Sequence, residues 1–256
     1  MLTLWQRLFS GKQGSSCLTL APIEVFSRQC ISSSVSQHKK RLPEFSREAC
    51  YRNLIDTWDA QKGNLTFFLD TAKGSRSAHF LPHSEKVIEI QAGTEADSFL
   101  QLLDYVEKLA LAPETIVYFV EDDYLHRDGW TDVLLEGLQI PGVDYVTLYD
   151  HRDKYFFPQY AKLQSKIFAT ASCHWRTTPS TTNTFAARYA TLMQDLSIHR
   201  RFSRGRTITA DHDKFCYLRK QGRTLISSIP GWSTHAEPEY TSPIFSWDQL
   251  LKTPIR

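Results

Sequence analysis

The chain has 256 residues, of which 41% are hydrophobic and 23% are charged, as is usual for a soluble globular protein. Lys and Arg together number 30 and Asp and Glu 28, so the formal net charge is +2, which gives no electrostatic case for nucleic-acid binding as the main task. No apolar run approaches the roughly 18 residues that a membrane-spanning helix requires.

The cysteines favour a reducing compartment over a metal or redox site. They contain no CxxC pair, which argues against a zinc knuckle and a dithiol motif, and their number is odd: Cys17, Cys30, Cys50, Cys173 and Cys216. We therefore expect a cytoplasmic location. Cys173 precedes His174, but we interpret it as a small buried apolar residue rather than as a thiol nucleophile.

The first 20 residues are expected to form a loosely attached leader. Leu2, Leu4 and Trp5 begin an apolar stretch that Gly, Lys, Gln and Ser interrupt, so no signal-peptide core develops. Two interpretations stay open, a short amphipathic foot on a membrane or partner and a loosely packed first turn of helix. At most, this predicts peripheral contact with the inner face of a membrane.

Residues 31–43 are polar and predict a loop, in which we expect the basic cluster His38-Lys39-Lys40-Arg41 to be solvated. After it, short β-branched and aromatic runs alternate with amphipathic stretches. Helices are predicted over 44–60, 95–111 and 128–139, and strands over 65–69, 86–90, 115–120 and 145–149.

The second half of the chain is less regular. Strands are predicted over 166–172, 182–186 and 223–229, and helices over 187–198 and 211–221. Alternation of strands and helices with short connections indicates an α/β protein with a mixed, mostly parallel central sheet flanked by helices. No linker divides the sequence, so we expect one domain over residues 1–256.

The most distinctive feature is the run of three carboxylates Glu121-Asp122-Asp123, which follows the apolar strand TIVYFV. In open α/β sheets the ligand crevice lies at the carboxyl ends of the strands. Adjacent carboxylates there stay ionised most easily beside a cation, and oxygen ligands suit Mg²⁺ or Mn²⁺. Such an ion would stabilise a departing diphosphate. The alternative interpretation of these three carboxylates is an acidic turn that caps the next helix.

A strand followed by Glu-Asp-Asp and a helix resembles the DXD-type motif of GT-A glycosyltransferases, in the variant with glutamate first. The close resemblance covers about fifteen residues, 116–130. It implies a GT-A-like, Rossmann-type sandwich with a nucleotide-binding half over about 21–150 and an acceptor-binding half over about 151–256. It also implies that Asp123 binds the metal directly, while Glu121 and Asp122 contact the donor or bind the metal through water.

A second acidic pair, Asp211 and Asp213, opens the predicted helix 211–221. A sugar hydroxyl becomes a good nucleophile only when its proton is accepted in the transition state. The position resembles that of the base in inverting GT-A enzymes, which favours Asp211 as the base, with Asp213 second. Asp211 is also well placed to cap the helix, and the two roles are compatible.

His235 follows the turn Pro230-Gly231 and resembles, by position, the C-terminal histidine that many GT-A enzymes bring to the metal or diphosphate. Imidazole is a good ligand for Mn²⁺ and a weaker one for Mg²⁺. A surface histidine without such a role is the alternative.

Residues 172–183 are rich in hydroxyl and amide side chains and suggest a sugar-binding loop. We predict acceptor contacts from Trp175, Thr178 and Asn183, since an indole can cover the apolar face of a sugar and an amide can bind hydroxyls. Arg176 is predicted to pair with donor phosphate. Asp70, at the end of LTFFL, is either a nucleotide contact or an ordinary strand-end aspartate.

These features predict a metal-dependent hexosyl- or N-acetylhexosaminyl-transferase that acts with inversion. The expected partners are a nucleotide-sugar donor, with UDP favoured by the resemblance, and a glycan or lipid-linked acceptor of an envelope or surface polymer. Two alternatives stay open: a metal-dependent phosphohydrolase or nucleotidyltransferase with two cations about 4 Å apart, and a non-catalytic binding module that has kept the fold.

Overall fold

The structure is a computed structural model, and it describes residues 21–33, 36 and 38–252. The leader predicted for residues 1–20 lies outside this part of the chain. None of the helices in the described part combines the length and the apolar character needed to cross a bilayer.

Eleven strands and seven α-helices form within the described residues. The strands are β1 (Ile23–Cys30), β2 (Gly63–Asp70), β3 (Val87–Ile90), β4 (Ile116–Glu121), β5 (Tyr124–His126), β6 (Tyr145–Thr147), β7 (Ile167–Ala169), β8 (His174–Thr177), β9 (Phe185–Arg188), β10 (Leu225–Ile229) and β11 (Ser233–His235). The helices are α1 (Arg47–Thr57), α2 (Glu95–Lys108), α3 (Trp130–Gln139), α4 (Asp153–Phe156), α5 (Tyr189–Gln194), α6 (Leu196–Arg201) and α7 (Asp211–Lys220).

The central sheet contains nine of these strands, in the spatial order β3-β2-β1-β4-β9-β6-β10-β8-β7. Strands β3, β2, β1 and β4 are mutually parallel, as are β6 and β10. Within this sheet, β9 and β8 run antiparallel to the other seven described strands. The mixed, mostly parallel α/β sheet predicted from the sequence is therefore confirmed, and it takes strands from both predicted halves.

Helices cover both faces of the sheet, and side chains alternate between two cores. Along β4, Tyr118 and Val120 point into the core that contains α1 and α3, whereas Phe119 points into the core that contains α2 and α7. The alternation follows from the period of two in a strand. Central strands that are covered on both faces typically form continuous apolar runs, as IVYFV does.

Strand β1 is the main element that the sequence patterns do not predict. It pairs with both β2 and β4 and lies at the centre of the parallel part of the sheet. Its sequence, IEVFSRQC, carries Ser27, Arg28 and Gln29 at buried positions, so it lacks the apolar character of the other central strands. The charge of Arg28 is balanced by Glu95 and Glu121, which approach it from other segments.

The expected sugar-binding loop over 172–183 is partly wrong, because residues 174–177 form β8 and pair with β10. Trp175 is fully buried, and its indole Nε1 donates to Thr170 Oγ1 at 3.0 Å. The other side of the ring packs against Gly137 in α3. A side chain held in the core in this way cannot cover a sugar, so the acceptor contact predicted for Trp175 is withdrawn.

We predict that Gly137→Ala destabilises the protein, although alanine normally favours a helix. The added Cβ would lie 2.7 Å from Cη2 of Trp175, which cannot move without disturbing the core. Overpacking of this kind costs about 1–3 kcal/mol, more than the ~1 kcal/mol gained in helix propensity. Urea unfolding of Gly137→Ala, with Gln139→Ala on the exposed side of α3 as control, measures the difference. Stabilisation by Gly137→Ala would contradict this packing.

Candidate active site

The acidic run lies where β4 leaves the sheet. Glu121 is the last residue of β4, and Asp122 and Asp123 form the turn that leads into β5. The carboxyl ends of β1, β2 and β4 open here into a cavity of about 470 Å³. The position agrees with the general rule that ligands bind at the carboxyl ends of parallel strands.

Six of the residues predicted from the sequence line this cavity: Asp70, Glu121, Asp122, Asp123, Asp211 and His235. They come from four separate parts of the chain. The other five predicted residues lie outside the cavity lining, either in the core or on the far side of a helix: Asp213, Trp175, Arg176, Thr178 and Asn183.

Strand pairing carries His235 to the acidic run. Strands β11 and β5 pair antiparallel, with His235 opposite Tyr124, the residue after Asp123. His235 Nε2 donates to Asp123 Oδ2 at 2.9 Å, and Arg41 Nη1 donates to the same oxygen at 2.9 Å. Burial alone would raise the pKa of Asp123, but His235 and Arg41 outweigh it and hold that pKa well below its ordinary value. The carboxylate is therefore firmly ionised.

The other two carboxylates each face an arginine of their own. Asp122 Oδ2 accepts from Arg47 Nε at 2.8 Å, yet burial raises the pKa of Asp122 above its ordinary value. Glu121 Oε1 accepts from Arg28 Nη2 at 2.9 Å, and burial raises the pKa of Glu121 to about 8. Each of these two carboxyl groups thus faces a protein cation, although its burial favours the neutral form.

The basic cluster at 38–41 is not simply solvated, which corrects the expectation from the sequence. Arg41 is largely buried by its contact with Asp123. Lys39 lines the cavity and lies 3.3 Å from Glu237. Arg41 and Lys39 thus face carboxylates at the cavity, whereas Lys40 is exposed.

Asp123 and His235 have a geometry that fits a divalent cation. Their Nε2 and Oδ2 atoms are 2.9 Å apart in a hydrogen bond, so both atoms reach one ion position once a cation replaces the shared proton. In the described part of the chain, no three ligand-type side chains come together as a metal cluster. Mg²⁺ sites often use only one or two protein ligands, with substrate phosphates and water completing the set.

Asp211 lines the same cavity as the first residue of α7. It does not cap the helix, because Ala210 occupies the cap position and makes no side-chain bond there. Asp211 Oδ1 instead accepts from Lys214 Nζ at 3.2 Å. Burial raises the pKa of Asp211 to about 6. Asp213 is exposed on the helix and away from the cavity, so its place as second candidate for the base is withdrawn.

Three further predicted residues are engaged inside the protein. Arg176 Nη2 donates to the buried Asp150 at 2.7 Å, so its guanidinium is not available to a donor phosphate. Asn183 is fully buried between Glu95 and Lys214. Thr178 is also buried and donates to the carbonyl of Ser180 at 3.4 Å. The donor contact of Arg176 and the acceptor contacts of Thr178 and Asn183 are therefore withdrawn.

Asp70 reaches the cavity but also organises its wall. Its carboxylate accepts from the backbone N–H groups of Ala72, Ala92 and Gly93 at 2.7–3.0 Å. These bonds tie the ends of β2 and β3 together. The structural interpretation of Asp70 is thus supported, and a nucleotide contact stays a prediction.

Comparison with known proteins gives the fold. No protein-family model matches the chain, and no curated protein sequence matches it. A structure of GalNAc-T7 with UDP, GalNAc and Mn²⁺ matches with a TM-score of 0.56 at 9% identity, covering 85% of this chain and 44% of that one. A structure of CMP:2-keto-3-deoxy-manno-octonic acid synthetase with CTP gives a TM-score of 0.46 at 13% identity, over 82% and 92% of the two chains.

The likeness to GalNAc-T7 confirms the GT-A-like α/β arrangement predicted from the sequence. This chain spans less than half the length of that protein, and at 9% identity the likeness concerns the fold alone. The second structure, with a TM-score below 0.5, carries no argument about this chain.

Arg47→Met removes the ion pair between Arg47 and Asp122. We predict that it lowers the free energy of unfolding by about 1–3 kcal/mol. This is less than the loss of a fully buried ion pair would cost, because water reaches both side chains. The exposed fractions of Arg47 and Asp122 are 23% and 12%. Arg52→Met in the same helix is the matched control, since Arg52 and Glu48 are 49% and 45% exposed. We expect Arg52→Met to cost less than about 1 kcal/mol. Equal losses in urea unfolding would contradict a special role for Arg47.

Proposed function

We propose that this protein transfers a sugar from a nucleotide-sugar donor to an acceptor hydroxyl in a reaction that depends on a divalent cation. One observation carries the proposal: the pair Asp123–His235 and the carboxylate of Asp211 line a single cavity at the end of the parallel strands. Such a cavity offers a cation position and a base in the same compartment, which are the two functions that an inverting sugar transfer needs.

On the donor side, Asp123 Oδ2 and His235 Nε2 would hold Mn²⁺ or Mg²⁺. The bound ion would neutralise the diphosphate as it leaves the anomeric carbon. Arg41 now donates to the same oxygen of Asp123, so it would turn toward donor phosphate when the cation binds. Glu121 and Asp122 would contact the donor through water, since each keeps its own arginine.

On the acceptor side, Asp211 would accept the proton of the attacking hydroxyl. Its pKa of about 6 leaves it mostly ionised at neutral pH and still basic enough to take a proton. A base opposite the leaving group gives inversion at the anomeric carbon. The acceptor is proposed to be a glycan hydroxyl, and UDP and GalNAc, which the GalNAc-T7 structure contains, are the first ligands to test.

We predict that UDP raises the melting temperature of the protein only together with Mn²⁺ or Mg²⁺. The cation lets the negative diphosphate approach Asp123, so Asp123→Ala should abolish the shift. A panel of nucleoside diphosphates with and without metal, read by thermal denaturation, measures this. The control is Asp132→Ala, at an exposed position on α3. The absence of a thermal shift with every nucleotide would contradict the proposal. In a separate assay, release of phosphate from simple esters would favour a phosphohydrolase.

We predict that Asp211→Asn lowers sugar transfer by about 10²–10⁴-fold, the usual loss when a general base is removed, while binding of the nucleotide and metal is kept. Asp213→Asn, two residues away on the exposed side of α7, should retain transfer. Release of nucleoside diphosphate from the nucleotide sugar that binds best, with a panel of acceptor sugars, measures both. Equal losses in the two variants would contradict Asp211 as the base.

A further inference from the structure

Beneath the cavity lies a lysine that the proposed chemistry does not use. Lys214 is fully buried, and its Nζ donates to Asp211 Oδ1 at 3.2 Å and to Asn183 Oδ1. An unpaired ammonium at such depth would be costly, so these partners are a condition for its presence.

Aromatic rings complete the surroundings of this ammonium. The distances from Lys214 Nζ to the ring centroids of Phe99, Phe185 and Phe215 are 4.8, 5.3 and 5.1 Å. Ring faces attract cations at these distances, and the attraction grows when water is excluded. Burial lowers the pKa of Lys214, and the contact with Asp211 opposes that change. Two oxygens and three rings therefore stabilise an ammonium at this depth.

The contact of Lys214 with Asp211 belongs to a longer, partly buried chain of polar contacts. Asn183 Nδ2 donates to Glu95 Oε1 at 2.9 Å, and Glu95 lies 2.8 Å from Arg28. Arg28 continues the chain to Glu121 at 2.9 Å. Glu95 also accepts from the backbone N–H of Thr209 at 2.7 Å, just before α7. Hydrogen bonds thus connect the candidate base with the acidic strand end.

Four charged groups from different elements act on Asp211. Lys214 approaches from its own helix, Glu95 from α2, Arg28 from β1 and Glu121 from β4. Lys214 is the cation in direct contact with it. Without the ammonium, Asp211 would share the site with two carboxyl groups and a more distant arginine, which disfavours a second and third negative charge.

We propose that Lys214 is a positioning residue for the base: held by Asn183 and the aromatic rings, its ammonium fixes the Asp211 carboxylate at the cavity wall and keeps it ionised. The role of Asp211 as the base rests on the proposed function, whereas the control of Asp211 by Lys214 is testable without any substrate. Lys214 itself does not line the cavity, so it would act only through Asp211.

The test is a titration of Asp211 followed by carboxyl ¹³C NMR, with its signal identified by its loss in Asp211→Asn. In the native protein we expect a midpoint near pH 6. In Lys214→Met, which keeps most of the side-chain volume, the midpoint should rise by about 1–3 pH units, the usual effect of one close opposite charge. Lys220→Met, at the exposed end of α7, is the control and should leave the midpoint unchanged. Lys214→Arg should keep it near the native value.

An unchanged midpoint in folded Lys214→Met would overturn the proposal. Should that variant not fold, the native protein still decides: ¹⁵N NMR should detect Lys214 as a protonated, slowly exchanging ammonium at pH 7, and a neutral amine would overturn the proposal. A raised midpoint without turnover of any nucleotide sugar would support the role of Lys214 and count against the proposed function. Turnover of a nucleotide sugar by the native protein, with an unchanged Asp211 midpoint in Lys214→Met, would support the proposed function and count against the role of Lys214.

Discussion

The structure depends on the balance of charge at the end of β4. Three consecutive carboxylates leave a strand whose side chains are buried on both faces, and their mutual repulsion must be compensated for the fold to form. Arg28, Arg47 and Arg41 supply that compensation from β1, α1 and the segment before α1. The acidic run therefore fixes the arrangement of segments that are distant in sequence, and the cavity forms where they meet.

The balance of charge at the end of β4 also affects how a metal and a nucleotide would bind. Arg41 and His235 both donate to one oxygen of Asp123, the position where a divalent cation would bind. A cation and a diphosphate bring charges of opposite sign, so the two together disturb the balance less than either alone. We therefore expect the nucleotide and the metal to bind cooperatively, with Arg41 exchanging a protein carboxylate for a phosphate.

The sequence predicts the parts of the fold and site that depend on local patterns. The apolar strand before Glu121 and the helical spacing over 95–111 are strong signals, and they place the acidic run at a strand end. Strand β1 is not predictable in this way, because Arg28 and Gln29 are buried there through contacts that arise only in the folded chain. A buried acidic run in a nearly neutral chain does imply partner arginines, but not which ones.

The prediction of a sugar-binding loop around Trp175 fails for a related reason. Hydroxyl and amide side chains suggested an open loop, yet β10 and α3 cover Trp175, and Asn183 is buried between Glu95 and Lys214. Composition alone cannot distinguish a sugar-binding loop from a buried polar network, since both use the same groups. Asp211 illustrates the converse case, in which a short pattern at a helix start does mark a residue at the cavity.

The most direct measurement is a crystal structure with UDP and Mn²⁺, in which anomalous scattering locates the metal. We expect one manganese ion bound to Asp123 Oδ2 and His235 Nε2, with the diphosphate on its open side and Arg41 moved from the carboxylate to a phosphate oxygen. A nucleotide bound outside this cavity, or a metal that does not touch Asp123, would contradict the proposed chemistry.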